Sequence, residues 1–224
     1  MKIIDLSQPI SMDTQVMPAF PKPLSLRHID HNPKDKFSSQ SRILIMTDHT
    51  ATHIDAFCHF DANPEADDIS EMPLDLFFGE AICLDISSFP VRRYITANEL
   101  KDVVAKSALK INKGDIVLFY SGHYAKNKGT PDFITEFSAL GADCVRWMKK
   151  KGVKLFGVES LSPDNPLVDD SFPNHRACKE VHLTHIECLC NMEELINKRF
   201  KFFGFPLKII NGTASPIRAV AIID

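Results

Sequence analysis

The residues best able to do chemistry lie in one short stretch: His49, Thr50, Ala51, Thr52, His53, Ile54, Asp55, Ala56, Phe57, Cys58 and His59. Three of the chain's nine histidines fall there, with an aspartate among them. Imidazole and carboxylate are donors that suit Zn, Mn and Fe. On a strand, residues two apart face the same side, so His53 and Asp55 project together. His49 and His59 join them if the chain bends on either side. Chance clustering or a hydrogen-bonded turn is the alternative, and a group this tight argues against it. Three protein donors leave positions open for water, which is the catalytic arrangement rather than the closed structural one. A divalent ion so held lowers the pKa of its water towards about 7, and the resulting hydroxide can attack a carbonyl. A further histidine nearby can serve as general base or acid.

Two later stretches could complete the site. Residues 174–187 carry His175, His182, His185 and Glu187, and the sequence does not say which of them turn inward. His182 and His185 are three apart and could share a helix face; they read as surface residues. Residues 157–164 read by default as a strand-to-turn junction, with a functional loop as the alternative. His123 follows a strand end and a glycine and reads as an exposed loop residue, with substrate contact as the alternative. Cys58 reads as a small buried residue, although a thiolate could bind Zn. Phe200, Phe202, Phe203 and Phe205 read as core. Arg218 is either half of an ion pair or an anchor for a carboxylate. His28 and His31 carry no assigned role.

The elements that must position these groups come next. Residues 2–6, 41–47, 81–86, 115–120, 153–158, 200–210 and 217–223 are strand candidates. Thr96, with Glu99 three residues on, starts a helix that runs to about Ser107. Residues 138–151 form an amphipathic helix ended by Gly152, and 175–181 a shorter one. Residues 1–40, rich in proline, read as an extended arm after the first strand. Strands and helices mix without strict alternation, which predicts an α/β or α+β domain with a mostly β core and two or three helices.

Composition bounds the rest. At 224 residues, one domain spanning 1–224 suffices. Hydrophobic residues at 44% and charged residues at 25% exclude a disordered or collagen-like chain. A net charge of -3 argues against a partner bound through basic charge, nucleic acid or membrane surface. No apolar run approaches the roughly 18 residues of a membrane span, and the first residues lack a signal peptide's apolar middle. The six cysteines form no CxxC pair and read as free thiols, which points to a cytoplasmic protein.

The order of these residues is familiar. The chain resembles the cyclase family that includes bacterial kynurenine formamidase and isatin hydrolase. That family's HxGTHxDxPxHF reads here as His49 through Phe60. Residues 4–10 are similar to its opening IDLSxPI. Lys113, Gly114 and Asp115 are similar to the start of its GDxVLxxTG segment. Gly157, Glu159, Ser162 and Asp164 are similar to its GxDxxSxD. His175, Glu187, Leu189 and Asn191 resemble its H…ExLxN, and residues 215–221 its SPxRAxA ending.

The resemblance implies a cyclase-like α/β domain, a β-barrel-like core flanked by helices. It implies a first metal on His49, His53 and Asp55, and a catalytic proton-transfer role for His59. It places His175 and Glu187 either at a second metal bridged by Asp55 or beside the substrate, as catalytic groups. Zn or Mn is implied, one or two ions per chain. The implied reaction is hydrolysis of an aryl formamide or cyclic amide, in a homodimer or higher homo-oligomer. A lactone hydrolase or cyclase, and a non-catalytic ligand-binding protein, are the alternatives. The family's Gly is Ala51 here, its Pro is Phe57, its Asp is Glu159, and its aromatic TGW-like position is His123. These changes move the expectation from kynurenine formamidase in the narrow sense towards a relative acting on another amide or lactone.

Overall fold

The computed structural model describes residues 1–223. In chain order the strands and helices are β1 (Lys2–Asp5), β2 (Leu24–Ile29), β3 (Ser41–Ile45), β4 (His53–Asp55), α1 (Phe57–Phe60), β5 (Phe78–Asp85), β6 (Tyr94–Ile95), α2 (Ala97–Ser107) and β7 (Ile116–Tyr120). They continue with α3 (His123–Asn127), β8 (Ala139–Leu140), α4 (Ala142–Lys150), β9 (Leu155–Val158), α5 (Pro173–Val181), β10 (Thr184–Glu187), β11 (Arg199–Phe203), β12 (Ala214–Pro216) and β13 (Val220–Ile223).

Nine strands form one curled sheet in the order β1-β13-β11-β5-β7-β9-β10-β4-β12. Its centre, β5, β7, β9 and β10, is parallel. The flanks on both sides are antiparallel. Parallel strands buried on both faces read as continuous apolar runs, and the buried spans 81–84, 116–119 and 155–158 of β5, β7 and β9 do, whereas β10 is buried yet carries Thr184, His185 and Glu187. Ala81, Cys83, Ile116, Leu118 and Leu155 turn to the concave face, where they pack with Leu6, Ile54, Phe200 and Phe202. Their neighbours Ile82, Leu84, Val117, Phe119 and Phe156 turn the other way, against Leu100 of α2, Val145 and Met148 of α4 and Cys178 of α5. The result is a half-barrel with helices on its convex side, the architecture the sequence implied. It has five α-helices among the described residues rather than two or three. No helix of the described residues is long and apolar enough to cross a membrane.

Local chemistry explains the element ends. Thr96 caps α2 with a full capping box, its side chain accepting from the Glu99 amide and the Glu99 carboxylate from the Thr96 amide. α4 begins at Ala142, later than the expected 138, because Ala139–Leu140 pairs with β6 instead. The reading of 1–40 as irregular after the first strand missed β2, which pairs with β3 as a separate two-stranded ribbon. The strand readings of 200–210 and 217–223 passed over β12, whose three residues pair only with β4. Arg218 forms an exposed pair with Asp5. Phe200 and Phe202 are core, whereas Phe205 is exposed.

Candidate metal centre

Strand β4 carries His53 and Asp55 on one face, as their spacing requires. Its neighbour β10 runs antiparallel, with Glu187 opposite His53 and Ile186 opposite Ile54. Glu187 therefore projects beside His53, and the same register brings His185, two residues earlier, alongside Asp55. His49 arrives from the turn before β4. The Asp48 carboxylate pins that turn, accepting from the Thr213 amide, the Thr213 hydroxyl and the Ala214 amide. Within the turn, Ala51 sits at φ 55, a left-handed conformation that costs an Ala about 1–2 kcal/mol. This is the position where the resemblance places a glycine. The Ala51 carbonyl accepts from His53 Nδ1 at 2.8 Å, so the strained turn also orients a ring. His59 comes from α1, and His175 from the first turn of α5.

All these side chains converge on two carboxylates. Asp55 Oδ1 lies 3.0 Å from His49 Nδ1 and 3.4 Å from His53 Nε2. Asp55 Oδ2 lies 3.2 Å from His185 Nε2 and 3.7 Å from both His59 Nε2 and His175 Nε2. Glu187 Oε2 is 3.3 Å from His53 Nε2, and Oε1 is 3.3 Å from His185 Nε2 and 3.9 Å from His175 Nε2. Yet His53 Nε2 and both Asp55 oxygens are buried without an aligned hydrogen-bond partner. Apart from His185 Nε2, which meets Glu187 Oε1 at 3.3 Å, the groups point at shared space rather than at one another. Burying a carboxylate uncompensated costs several kcal/mol, and a cation in that space compensates it.

The far ring nitrogens support the same fit. Metal-binding histidines usually tie their second nitrogen to an oxygen acceptor, which fixes the tautomer. His49 Nε2 meets the Thr213 hydroxyl at 3.0 Å, and His175 Nδ1 meets Asp164 Oδ2 at 2.7 Å. Asp164 is fully buried and also accepts from the amides of Asn174 and His175 and from the Tyr94 hydroxyl. It thus caps α5, whose own N-cap residue Phe172 offers no side-chain bond.

As protein groups alone, the cluster shares protons. Burial opposes charge on His53, but the Asp55 and Glu187 carboxylates outweigh it and raise its pKa to about 10. Burial likewise opposes charge on His175, and Asp164 with Asp55 overcomes it, to about 9. Burial and the charge of Asp55 push Glu187 up, yet His185 and His53 hold it at about 2. His59 behaves oppositely: burial dominates the pull of Asp55 and lowers it to about 4, so its ring is neutral at pH 7. Its side chain is 30% exposed, against 3% for His53. Phe20 stacks on His49, and Phe172 meets His175 edge-on, so aromatic faces border the cluster on both sides.

The structure thus brings together His49, His53, Asp55, His59, His175 and Glu187. It corrects the reading of His185 as a surface residue: it is fully buried and faces both carboxylates. The helix spacing assumed for His182 and His185 fails because His182, at φ 51, ends α5; His182 stays exposed and His185 lies on a strand. The signal was present in the sequence, since His185-x-Glu187 repeats the two-residue spacing of His53-x-Asp55. The default reading of residues 157–164 also gives way, because Asp164 anchors His175. His123 is buried rather than exposed, bonded to the carbonyls of Phe133 and Glu136 away from the cluster. Cys58 is half-buried, its thiol directed at the Gly212 carbonyl.

The profile of a protein family described as "Putative cyclase" matches residues 4–165. The chain is 27% identical over 217 residues to the kynurenine formamidase of Bacillus mycoides, covering 97% of this chain and 95% of that protein. Its fold superposes on isatin hydrolase A from Ralstonia solanacearum with a TM-score of 0.88 at 20% identity, covering 100% of this chain and 92% of that one. It superposes on a predicted metal-dependent hydrolase from Bacillus stearothermophilus with a TM-score of 0.76 at 24% identity, covering 98% and 97%.

Proposed function

The chain belongs to the cyclase family, and on that premise we propose that it is a metal-dependent hydrolase of an amide bond, acting on an aryl formamide or a cyclic amide. The observation that carries this reading is the convergence of imidazoles on the two buried carboxylates of Asp55 and Glu187, with both Asp55 oxygens left unpaired. The kynurenine formamidase and isatin hydrolase relatives support the amide class. His49, His53 and Asp55 would hold a first divalent ion, and Asp55, His175 and Glu187 a second; Zn and Mn both suit these donors. Such an ion supplies positive charge that polarises a carbonyl and makes water more acidic.

The protein's own groups do the rest. His59, neutral and on the open side, takes a proton at Nε2 from the attacking water and returns it to the leaving nitrogen. Asp164 keeps His175 in one tautomer and orientation. Phe20 and Phe172 offer flat apolar faces to an aryl group. The burial of Asp55 and Glu187 keeps their charge undiluted by solvent. A homodimer or higher homo-oligomer is part of the reading. Leu24 and Leu26 of β2 pair with Ile45 and Ile43 of β3, so the four share one face of the ribbon, each 42–53% exposed. A two-stranded ribbon is marginal by itself, and a second copy would cover that face.

The test is a panel of aryl formamides, cyclic amides and lactones offered to protein loaded with Zn or Mn. Metal-dependent turnover of an amide is expected. Binding across the panel with no product overturns the reading in favour of a ligand-binding protein. Product without incorporation of water overturns it in favour of lyase or cyclase chemistry.

A further inference from the structure

We propose that His185 is itself a metal ligand, completing with Asp55, His175 and Glu187 a four-donor position for one divalent cation. This rests on the metal-dependent reading above and assigns the positions within that centre. The two carboxylates divide their oxygens. Asp55 Oδ1 and Glu187 Oε2 face His53, and Oδ1 also faces His49. Asp55 Oδ2 and Glu187 Oε1 face His185 and His175. Bonds of about 2.0–2.1 Å in a tetrahedron set donors about 3.3–3.4 Å apart. His185 Nε2 stands 3.2 Å from Asp55 Oδ2 and 3.3 Å from Glu187 Oε1, closer to that spacing than His175 Nε2 at 3.7 and 3.9 Å. The four donor atoms lie within 4.8 Å of one another.

The tautomer of His185 follows from a chain of bonds behind it. Asn174 Nδ2 donates to the Leu140 carbonyl at 3.0 Å, which fixes that amide with its oxygen towards Cys178. The Cys178 thiol donates to Asn174 Oδ1 at 3.5 Å. The sulfur is then left as acceptor for His185 Nδ1, 3.8 Å away. With Nδ1 so engaged, Nε2 is the atom that faces the two carboxylate oxygens; in the metal-free protein a proton bridges it to Glu187 Oε1 at 3.3 Å, and a divalent cation would take that proton's place. His185 is fully buried, so it has no solvent with which to exchange protons and is ill-placed as an acid or base.

The consequence is a division of labour. Four protein donors make a closed, structural position. The position of His49, His53 and Asp55 Oδ1 has fewer donors and lies beside half-exposed His59, so it keeps room for water and substrate.

The experiment titrates cobalt(II) into chelator-stripped protein, with absorption spectra and elemental analysis of the gel-filtered product, for the native chain, His185→Gln and His49→Gln. Two equivalents are expected in the native chain. His185→Gln should keep one and bind the other about 100-fold or more weakly, beyond the about 10–100-fold cost of losing an outer partner. His49→Gln should weaken the other ion. Should His185→Gln fail to fold, Cys178→Ala, which removes only the anchor, should weaken one ion about 10–100-fold. A folded His185→Gln that binds the same equivalents at native affinity overturns the proposal, as does an unaffected ion in Cys178→Ala. A native chain that binds no metal overturns it together with the metal-dependent reading. Two ions with one lost in His185→Gln, but no amide turned over, sustains the ligand and overturns only the hydrolase.

Discussion

Asp164→Asn isolates the link between the fold of α5 and the metal centre. The carboxylate is fully buried and accepts four bonds. Oδ1 takes the Asn174 amide at 2.8 Å and the Tyr94 hydroxyl at 3.0 Å; Oδ2 takes the His175 amide at 3.0 Å and His175 Nδ1 at 2.7 Å. An amide of the same shape must turn its NH2 to one side. On the Tyr94 side the phenol can rotate and accept, so the NH2 goes there and strands the Asn174 N–H, at about 1–3 kcal/mol. The bonds to His175 survive but lose their charge, at about 1 kcal/mol each. The sum is about 3–5 kcal/mol, a large part of the about 5–15 kcal/mol that holds a domain together. Urea unfolding of the metal-free protein, followed by circular dichroism, reads this as a lower midpoint at constant slope. Chelator competition should show metal affinity reduced about 10–100-fold, because His175 has lost its orienting partner. Tyr94→Phe removes one bond and leaves His175 alone, so it should cost about 1 kcal/mol with native metal affinity. A loss below about 1 kcal/mol in Asp164→Asn with unchanged affinity refutes the reasoning.

Three other outcomes are expected. His59→Ala should lower kcat by about 10²–10⁴-fold while metal content, measured by elemental analysis, stays native; full activity would remove His59 from proton transfer. Stripping the metal should lower Tm, since an ion at 1,000 times its Kd stabilises by about 4 kcal/mol, about 8–16 °C for a chain of this length; an unchanged melting scan would mean the carboxylates need no cation. Burial lowers the pKa of His123, against the Phe133 and Glu136 carbonyls, which favour its charged form. The unfolded chain therefore binds the proton more readily, and stability should fall as pH drops below about 6.5, at up to about 1.4 kcal/mol per unit. In His123→Gln the drop in urea midpoint between pH 7 and pH 5 should shrink, and an identical drop in both proteins would contradict this.

The ribbon and the curled sheet show how far local pattern carries. The central strands β5, β7 and β9 were legible because parallel strands covered on both faces must be apolar, and 81–86, 115–120 and 153–158 are, but for Asp85, Asp115 and Lys154 towards their ends. Strand β2 was not, because proline on either side and exposed, mixed side chains give no burial pattern to read. Three-residue β12 is a strand only because β4 lies beside it.

The same division runs through the candidate site. That His49, His53, Asp55 and His59 form one group is a local matter, settled within eleven residues by turn and strand spacing. That His175 and Glu187 belong with them was legible only through the order of residues shared with a family. Asp164 matched the family pattern without showing a role, and His185, though among the candidates, read as a surface residue. Whether residues 182–187 follow a helical or an extended period depends on where α5 stops, and the left-handed His182 decides that. Whether Glu187 and His185 meet His53 and Asp55 depends on the register of β10 against β4, two strands some 130 residues apart in the chain. Sequence determined which donors exist and which pairs share a face; the tertiary structure decided which faces meet, because strand register is set by packing across the whole sheet rather than by either strand alone.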